Sequence, residues 1–122
     1  MEENAKFLKC PICDNIIELI DGDVQHITCC GRKMEEMKAN TTDAATEKHI
    51  PIYKKVGDEI VVSVGEVEHP MEKEHYIMWI AQVSENRTLY PEQKTETRFP
   101  YISGATLYAY CNKHGLWKTT IK

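Results

Sequence analysis

Four of the five cysteines lie within the first 30 residues, and their spacing constrains the fold of this region more than any other feature. Cys10 and Cys13 form a Cys-x-x-Cys turn, and the adjacent pair Cys29-Cys30 follows later. Below about 40 residues a hydrophobic core rarely suffices, and a metal, disulfide or oligomer is usually needed. We therefore predict that residues 1–38 form a small domain stapled by a metal that these four thiolates bind.

The identity of this metal is left open by the cysteine spacing. Thiolate tetrahedra accept both structural zinc and redox iron. Because neighbouring strand residues point to opposite faces, Cys29 and Cys30 can reach one ion only where the backbone bends. We expect Gly31 to relax the chain there and the tetrahedron to be distorted. A disulfide between adjacent cysteines would be strained, and in a reducing compartment metal binding is the better interpretation.

Composition and charge exclude several classes of protein. The chain is 42% hydrophobic and 28% charged, as in ordinary globular proteins, and its formal net charge is −4. That charge argues against a nucleic-acid or anionic-membrane surface, both of which need Lys and Arg. No apolar run approaches the roughly 20 residues of a membrane span. Since Met1-Glu2-Glu3-Asn4 lacks the pattern of a signal peptide, we expect a cytoplasmic protein.

The remainder of the chain has the pattern of a β-protein. In the first domain we predict strands over 6–9, 16–20 and 24–28, with a hairpin turn between the last two. Residues 39–46 are small and polar, which is typical of a linker. Residues 47–122 contain about seven short strand patterns separated by turns, which favours an antiparallel sandwich or barrel. These strands are predicted over 50–56, 60–64, 76–83, 88–90, 97–102, 105–110 and 116–121, with little helix anywhere.

The second block also concentrates residues that bind metals. It holds the fifth cysteine and four of the five histidines: His49, His69, His75, Cys111 and His114. Each lies at a predicted strand end or loop, where a sandwich can gather ligands on a rigid scaffold. Cys111 and His114 are three residues apart and so can share one loop. Scattered surface histidines are the alternative, and this concentration weighs against it; we assign only His26, in the first block, to the surface.

The chemistry of four imidazoles and one thiolate narrows the choice of metal. Imidazole suits zinc, copper or iron, and a thiolate adds redox tuning. Five protein ligands leave one octahedral position open, whereas structural zinc prefers four ligands and a closed site. Ferrous iron with one thiolate and neutral imidazoles would keep one positive charge, and Lys48 beside His49 could add another. Such a site would attract a small anion despite the acidic chain.

These motifs together resemble desulfoferrodoxin, the two-iron form of superoxide reductase, over nearly the whole chain. The cysteine block is similar to desulforedoxin, whose rubredoxin-like iron has a Cys-x-x-Cys turn and an adjacent pair. Asp14 is a departure, because a glycine is common at its position. The second block carries the signatures Glu47-Lys48-His49-Ile50-Pro51, His69-Pro70-Met71-Glu72, His75-Tyr76-Ile77 and Cys111-Asn112-Lys113-His114-Gly115-Leu116-Trp117.

The resemblance implies a homodimer whose chain has a desulforedoxin-like domain over 1–38 and an immunoglobulin-like sandwich over 47–122. It implies that Lys48 guides superoxide and supports the bound product, and that Glu47 closes onto the ferric iron as a sixth ligand at rest. It also implies two irons per chain. The first is bound by Cys10, Cys13, Cys29 and Cys30, with zinc as a substitute, and the second by His49, His69, His75 and His114 around an axial Cys111.

The implied activity is one-electron reduction of superoxide to hydrogen peroxide, a detoxification that uses an external donor such as rubredoxin. For the cysteine site we favour a structural role with dispensable redox activity, because the block is small. A non-catalytic electron carrier and a zinc-stapled interaction module are the alternatives. The open iron position argues against a carrier, and iron at both sites would exclude the zinc module.

Overall fold

The computed structural model describes residues 5–41, 49–65, 69–83, 85–90 and 92–122, without the side chains of 85 and 86. Contacts divide the chain into two compact units, one ending at Lys38 and the other beginning at Ala39. The described elements include twelve strands and one short 3-10 helix, which confirms the all-β prediction. None of the described helices is both long and apolar enough to cross a membrane.

The first unit is built on a three-stranded antiparallel sheet in the order β2-β1-β5. Its elements are β1 (Lys6–Lys9), β2 (Ile16–Leu19), the 3-10 helix (Val24–His26), β3 (Thr28–Cys29), β4 (Arg32–Lys33) and β5 (Glu35–Glu36). Leu8, Cys10 and Met34 form its buried core, with Leu19 and Val24 packed partly against them. Such a small core agrees with the expectation that this unit needs a further source of stability.

The predicted hairpin between residues 16–20 and 24–28 is wrong. β2 pairs with β1, and Val24–His26 form the 3-10 helix instead of a strand. The Oδ1 atom of Asp23 accepts a hydrogen bond of 2.9 Å from the backbone N–H of Gln25. This side-chain cap gives the backbone a local alternative to strand pairing.

The second unit is a sandwich of two antiparallel sheets, as predicted, in the orders β10-β7-β6 and β12-β11-β8-β9. Three strands facing four is the arrangement of immunoglobulin-like folds. The strands are β6 (Pro51–Val56), β7 (Glu59–Val64), β8 (Ile77–Gln82), β9 (Glu85–Thr88), β10 (Glu96–Pro100), β11 (Thr106–Cys111) and β12 (Gly115–Thr120). The strand predicted over 88–90 begins earlier, at Glu85, because β9 pairs with β8 along the sheet edge, where polar residues are tolerated.

The core of the sandwich fixes the position of β11, the strand that leads to the candidate site. Ile60, Val62 and Val64 alternate with more exposed residues on β7, as expected for a strand with one buried face. Every residue of β11 is buried, and this strand lies inside its sheet between β8 and β12. Cys111 is the last residue of β11, so its position is set by the most buried strand of the unit.

The start of the predicted linker is bound to the edge of the sandwich. Asn40 donates its backbone N–H to the carbonyl of Leu116 at 2.9 Å. Its side-chain Oδ1 accepts from the Lys118 N–H at 2.8 Å, and its Nδ2 donates to the Lys118 carbonyl at 3.3 Å. Asn40 therefore continues the hydrogen-bonding pattern of β12 at this edge.

Candidate metal centres

Five side chains of the second unit meet at one point, which we call the histidine–cysteine cluster. It comprises His49, His69, His75, Cys111 and His114, whose ligand atoms all lie within 4.8 Å of one another. His49 precedes β6, Cys111 ends β11, and His114 lies in the short turn before β12. His69 and His75 belong to the connection between β7 and β8. The cluster thus gathers the residues that were predicted as ligands of the second metal.

The four imidazole rings form a closed cycle. The ring centroids of His49 and His69 are 4.6 Å apart with an interplanar angle of 74°, and those of His69 and His75 are 4.8 Å apart at 83°. His75 and His114 meet at 4.8 Å and 76°, and His114 returns to His49 at 4.8 Å and 79°. Each ring is therefore nearly perpendicular to both of its neighbours, and the four rings surround a common centre.

The distances between ring nitrogens fit a metal at that centre. Nε2 of His49 lies 3.0 Å from Nε2 of His69 and 3.1 Å from Nδ1 of His114. Two nitrogens bound about 2.1 Å from an ion at right angles would be separated by about 3.0 Å. Nε2 of His75 is buried and has no hydrogen-bond partner, a situation that usually demands an explanation. A bound metal ion would satisfy this atom.

The protonation states of the cluster also suit metal binding. Burial lowers the pKa of His69 to about 4, and it lowers the pKa of His75 as well. Nδ1 of His69 lies 2.7 Å from the carbonyl oxygen of Pro70, so Nδ1–H donates there and Nε2 keeps its lone pair for the centre. Burial raises the pKa of the Cys111 thiol. A cation at the centre would reverse that effect, because coordination deprotonates thiols.

The four cysteines of the first unit form a second group, the cysteine cluster. The Sγ atoms of Cys10, Cys13, Cys29 and Cys30 all lie within 4.8 Å of one another. Sγ of Cys29 is 3.7 Å from that of Cys13 and 4.0 Å from that of Cys30. A tetrahedral ion with metal–sulfur distances of about 2.3 Å separates its sulfurs by about 3.8 Å. The spacing therefore fits one tetrahedral metal ion.

The adjacent cysteines reach the same point because the backbone turns at Cys30 itself. Cys30 has φ 54° and Gly31 has φ 73°, so both residues of the tight turn between β3 and β4 are left-handed. Two such residues in succession are typical of a hairpin turn of type I′. The predicted bend is thus present, but Cys30, which is not a glycine, occupies the first of the two left-handed positions.

Asp14 keeps the geometry that a glycine would supply in the first turn. Its φ is 64°, in the left-handed region that Asp and Asn tolerate better than most side chains. Its N–H donates to the carbonyl of Cys10 at 3.2 Å and closes the turn. Asp14 therefore keeps the local backbone conformation, although a glycine is common at its position in the family that the sequence resembles.

The cysteine cluster cannot carry four negative charges without a cation. The backbone N–H of Cys13 lowers the pKa of Cys10 to about 7. Hydrogen bonding with the Cys13 side chain raises the pKa of Cys30 to about 12, and contact with Cys10 raises that of Cys29. Without a metal, one thiolate thus suppresses ionisation of its neighbours. A bound ion would remove this conflict.

Comparison with known proteins shows to which family this chain belongs. A family model described as Desulfoferrodoxin matches residues 41–120. The desulfoferrodoxin of Syntrophotalea carbinolica is 42% identical over 98% of both chains. The chain belongs to the desulfoferrodoxin family. The desulfoferrodoxin of Clostridium acetobutylicum is 48% identical over 84% of this chain and 86% of its own.

A solved structure of similar fold covers nearly the full length of this chain. The superoxide reductase from Treponema pallidum matches with a TM-score of 0.75 and 28% sequence identity. The match covers 97% of this chain and 100% of the Treponema chain. The likeness therefore extends across residues of both clusters.

Trp117 contacts two of the candidate ligands, although no role was predicted for it. Its ring stacks on that of His49, with centroids 5.0 Å apart and planes 19° from parallel. Its Nε1–H donates to the carbonyl oxygen of His114 at 3.2 Å. The side chain is only 2% exposed. One buried indole thus supports two of the candidate ligands. The signal for this role in the sequence was that Trp117 belongs to the same signature as His114.

Two other predicted site residues, Glu47 and Lys48, lie outside the described residues. His26, which was assigned to the surface, is exposed and has Nε2 3.5 Å from Oδ2 of Asp23. Among the described residues, the structure therefore brings together each predicted ligand and leaves His26 apart from both clusters.

Proposed function

We propose that this protein is a superoxide reductase, which catalyses one-electron reduction of superoxide with uptake of two protons to give hydrogen peroxide. The observation that carries the proposal is the closed cycle of four imidazoles with a buried cysteine beside it. The similar fold of the Treponema superoxide reductase supports it. The ligands of the catalytic iron in this proposal are His49, His69, His75, His114 and Cys111.

The donor set favours iron over structural zinc in the histidine–cysteine cluster. Five protein donors leave one octahedral position for a substrate, whereas structural zinc is usually closed by four. When bound, iron supplies the one-electron chemistry, and a thiolate ligand tunes its electron density. Cys111 and the four histidines would hold the iron, and the Cys111 sulfur would be its thiolate ligand.

The chain's own residues set the charge of this site. His69 and His75 stay neutral at pH 7 because burial lowers their pKa values. Ferrous iron with neutral imidazoles and one thiolate then keeps one positive charge. A chain of formal net charge −4 would repel superoxide overall, so local positive charge is what draws the anion in.

Lys48 and Glu47 complete the proposal on the basis of their place in the sequence. Lys48 precedes His49 and would guide superoxide and stabilise the developing negative charge of the product. Glu47 would occupy the sixth position in the ferric resting state. We expect Lys48→Ile to slow superoxide capture and to weaken its dependence on ionic strength, measured by pulse radiolysis at several salt concentrations. An unchanged rate at every salt concentration would remove Lys48 from the mechanism.

The cysteine cluster is proposed to bind a second iron, with zinc as a substitute. Its role would be structural with dispensable redox activity, because the buried core of its unit contains few side chains. Rubredoxin or a similar protein would supply electrons to the catalytic iron. A homodimer, a cytoplasmic location, a linker over 39–46 and domains over 1–38 and 47–122 also belong to this proposal.

The decisive experiment measures superoxide loss and metal content on the same purified sample. We expect two irons per chain, superoxide consumption that depends on added reductant, and no evolved oxygen. Oxygen evolution without reductant would indicate a dismutase instead. Electron transfer without superoxide consumption would indicate a carrier, and zinc in both sites would indicate an interaction module.

A further inference from the structure

Asn112 directly follows the candidate ligand Cys111, and its side chain contacts the backbone on both sides of a second ligand, His75. Its Oδ1 accepts a hydrogen bond of 2.9 Å from the N–H of Tyr76. Its Nδ2 donates a hydrogen bond of 3.1 Å to the carbonyl of Glu74. One amide side chain thus binds both peptide groups that flank His75.

The remaining polar groups of these two peptides are bound by Glu72. The N–H of His75 donates to the carbonyl of Glu72 at 3.1 Å, and the carbonyl of His75 accepts from the N–H of Glu72 at 2.9 Å. Together with the contacts of Asn112, all four polar groups of the two peptides have partners. The backbone at His75 is therefore held from two directions, by its own turn and by Asn112.

The ring of His75 has less direct support than the rings of His49 and His69 have. His69 is held through Nδ1 by a carbonyl, and His49 is stacked on Trp117. Nε2 of His75 has no hydrogen-bond partner, and its described ring contacts are with its two neighbours in the cycle. The backbone of His75 must therefore do more to set the position of this nitrogen.

The contacts of Asn112 begin where the regular strand pairing ends. The register between β11 and β8 shifts between Tyr110 and Cys111, and Cys111 is paired with Ile77. Beyond that pair, the N–H of Asn112 donates to the carbonyl of Tyr76 at 3.2 Å. The side chain of Asn112 extends this connection past the end of the sheet to the turn that carries His75.

We propose that Asn112 is a positioning residue that fixes His75 relative to Cys111, so that the nitrogen and the sulfur face one metal ion at constant separation. This inference rests on the proposed function, because it takes both residues to be ligands of the catalytic iron. Outer-sphere residues of this kind usually change metal affinity or activity by about 10–100-fold. Asn112 itself contacts neither the substrate nor the metal in this assignment.

The test compares Asn112→Ala and Asn112→Asp in the iron-loaded, full-length protein. The rate of iron loss to a chelator is followed by the thiolate-to-iron absorption of the second centre, and electron paramagnetic resonance reports the symmetry of the ferric site. We expect Asn112→Ala to lose this iron about ten-fold faster and to show an altered resonance. Asn112→Asp should fall between it and the wild type, because it keeps an acceptor for Tyr76 and lacks the donor for Glu74.

Asn40→Ala is the matched control, because the Asn40 amide also makes two hydrogen bonds to backbone groups, both of Lys118. We expect this variant to keep the wild-type resonance and rate of iron loss. Equal acceleration in Asn40→Ala, or wild-type behaviour of Asn112→Ala, would overturn the positioning role. If Asn112→Ala does not fold, Asn112→Asp decides in the same way. A wild-type protein that binds no iron at this centre would overturn the proposed function as well.

Discussion

The two candidate metal centres are built from very different lengths of chain. The cysteine cluster uses residues 10–30 and depends on two tight turns, with Cys13 and Cys30 exposed. The histidine–cysteine cluster joins His49 to His114 across 65 positions, and His49 and Cys111 are buried. A centre made by local turns can form with its own small unit, whereas the other requires that the whole sandwich be folded.

Because of this difference, the two metals should contribute differently to the stability of their units. The sandwich has its own core of apolar residues from both sheets, so we expect it to fold without the ion. Among the described residues of the first unit, the buried cluster contains three side chains, those of Leu8, Cys10 and Met34. The metal should therefore stabilise the fold in the first unit, and the fold should hold the metal in the second.

The largest effect is expected from removing the thiolate of the histidine–cysteine cluster. Cys111→Ser preserves the size of a fully buried side chain but lacks a sulfur ligand. We expect superoxide reduction to fall by at least about 100-fold, since even outer partners of a metal are worth about 10–100-fold. The thiolate-to-iron absorption of this centre should vanish while that of the cysteine cluster persists. Retained absorption at both centres would show that Cys111 is not a ligand.

The complementary change tests whether the cysteine cluster is structural. Cys13→Ser should abolish the absorption of the first iron and expose the backbone amides of β1 and β2 to hydrogen exchange, because metal binding stabilises such small units. Superoxide reduction should remain largely intact. Loss of activity in a protein that still folds would show instead that the first centre relays electrons to the second.

A smaller effect is expected from changing the indole that supports two ligands. Trp117→Phe keeps a ring to stack on His49 but lacks the N–H that binds the carbonyl of His114. Trp117→Leu lacks both contacts, so it should weaken iron retention about ten-fold and Trp117→Phe by less. Iron loss to a chelator measures both variants.

Trp79→Leu provides the control, because this tryptophan stacks on Tyr110 rather than on a candidate ligand. It should alter stability without changing the absorption of the second centre. If all three variants lose iron equally, Trp117 acts through general packing and has no special role at the site.

The sequence predicted the ligand clusters better than it predicted the contacts that hold them. Cysteine spacing and the concentration of histidines were visible because metal ligands are few in type and distinct in chemistry. The hairpin at 16–28 was mispredicted because a single Asp23 cap outweighed strand propensity. Asn112 and Trp117 belong to the same signature as Cys111 and His114, but their roles could not be predicted, since their partners are backbone groups and rings that only the folded sandwich brings near.

The smallest expected effect is a change of folding stability with pH. The two units should differ in the pH range over which they lose stability. Burial holds the pKa of His69 at about 4 in the folded protein, below its ordinary value of 6.5. Between these values the unfolded chain binds a proton that the folded one does not, so stability falls as pH drops from 6.5 towards 4. His75 shifts in the same direction. The iron-free sandwich should therefore be less stable to urea at pH 5 than at pH 7.5.

Tryptophan fluorescence can follow this transition selectively, because both tryptophans, Trp79 and Trp117, belong to the second unit. His69→Gln should flatten the dependence, since it removes a titrating group whose pKa burial lowers to about 4. The thiol of Cys10, whose pKa is lowered from 9.0 to about 7, should instead make the first unit lose stability as pH falls from 9 to 7. A sandwich whose stability is constant between pH 7.5 and 5 would mean that its histidines are solvated. That result would contradict the assignment of a buried histidine–cysteine cluster that is ready to bind a metal.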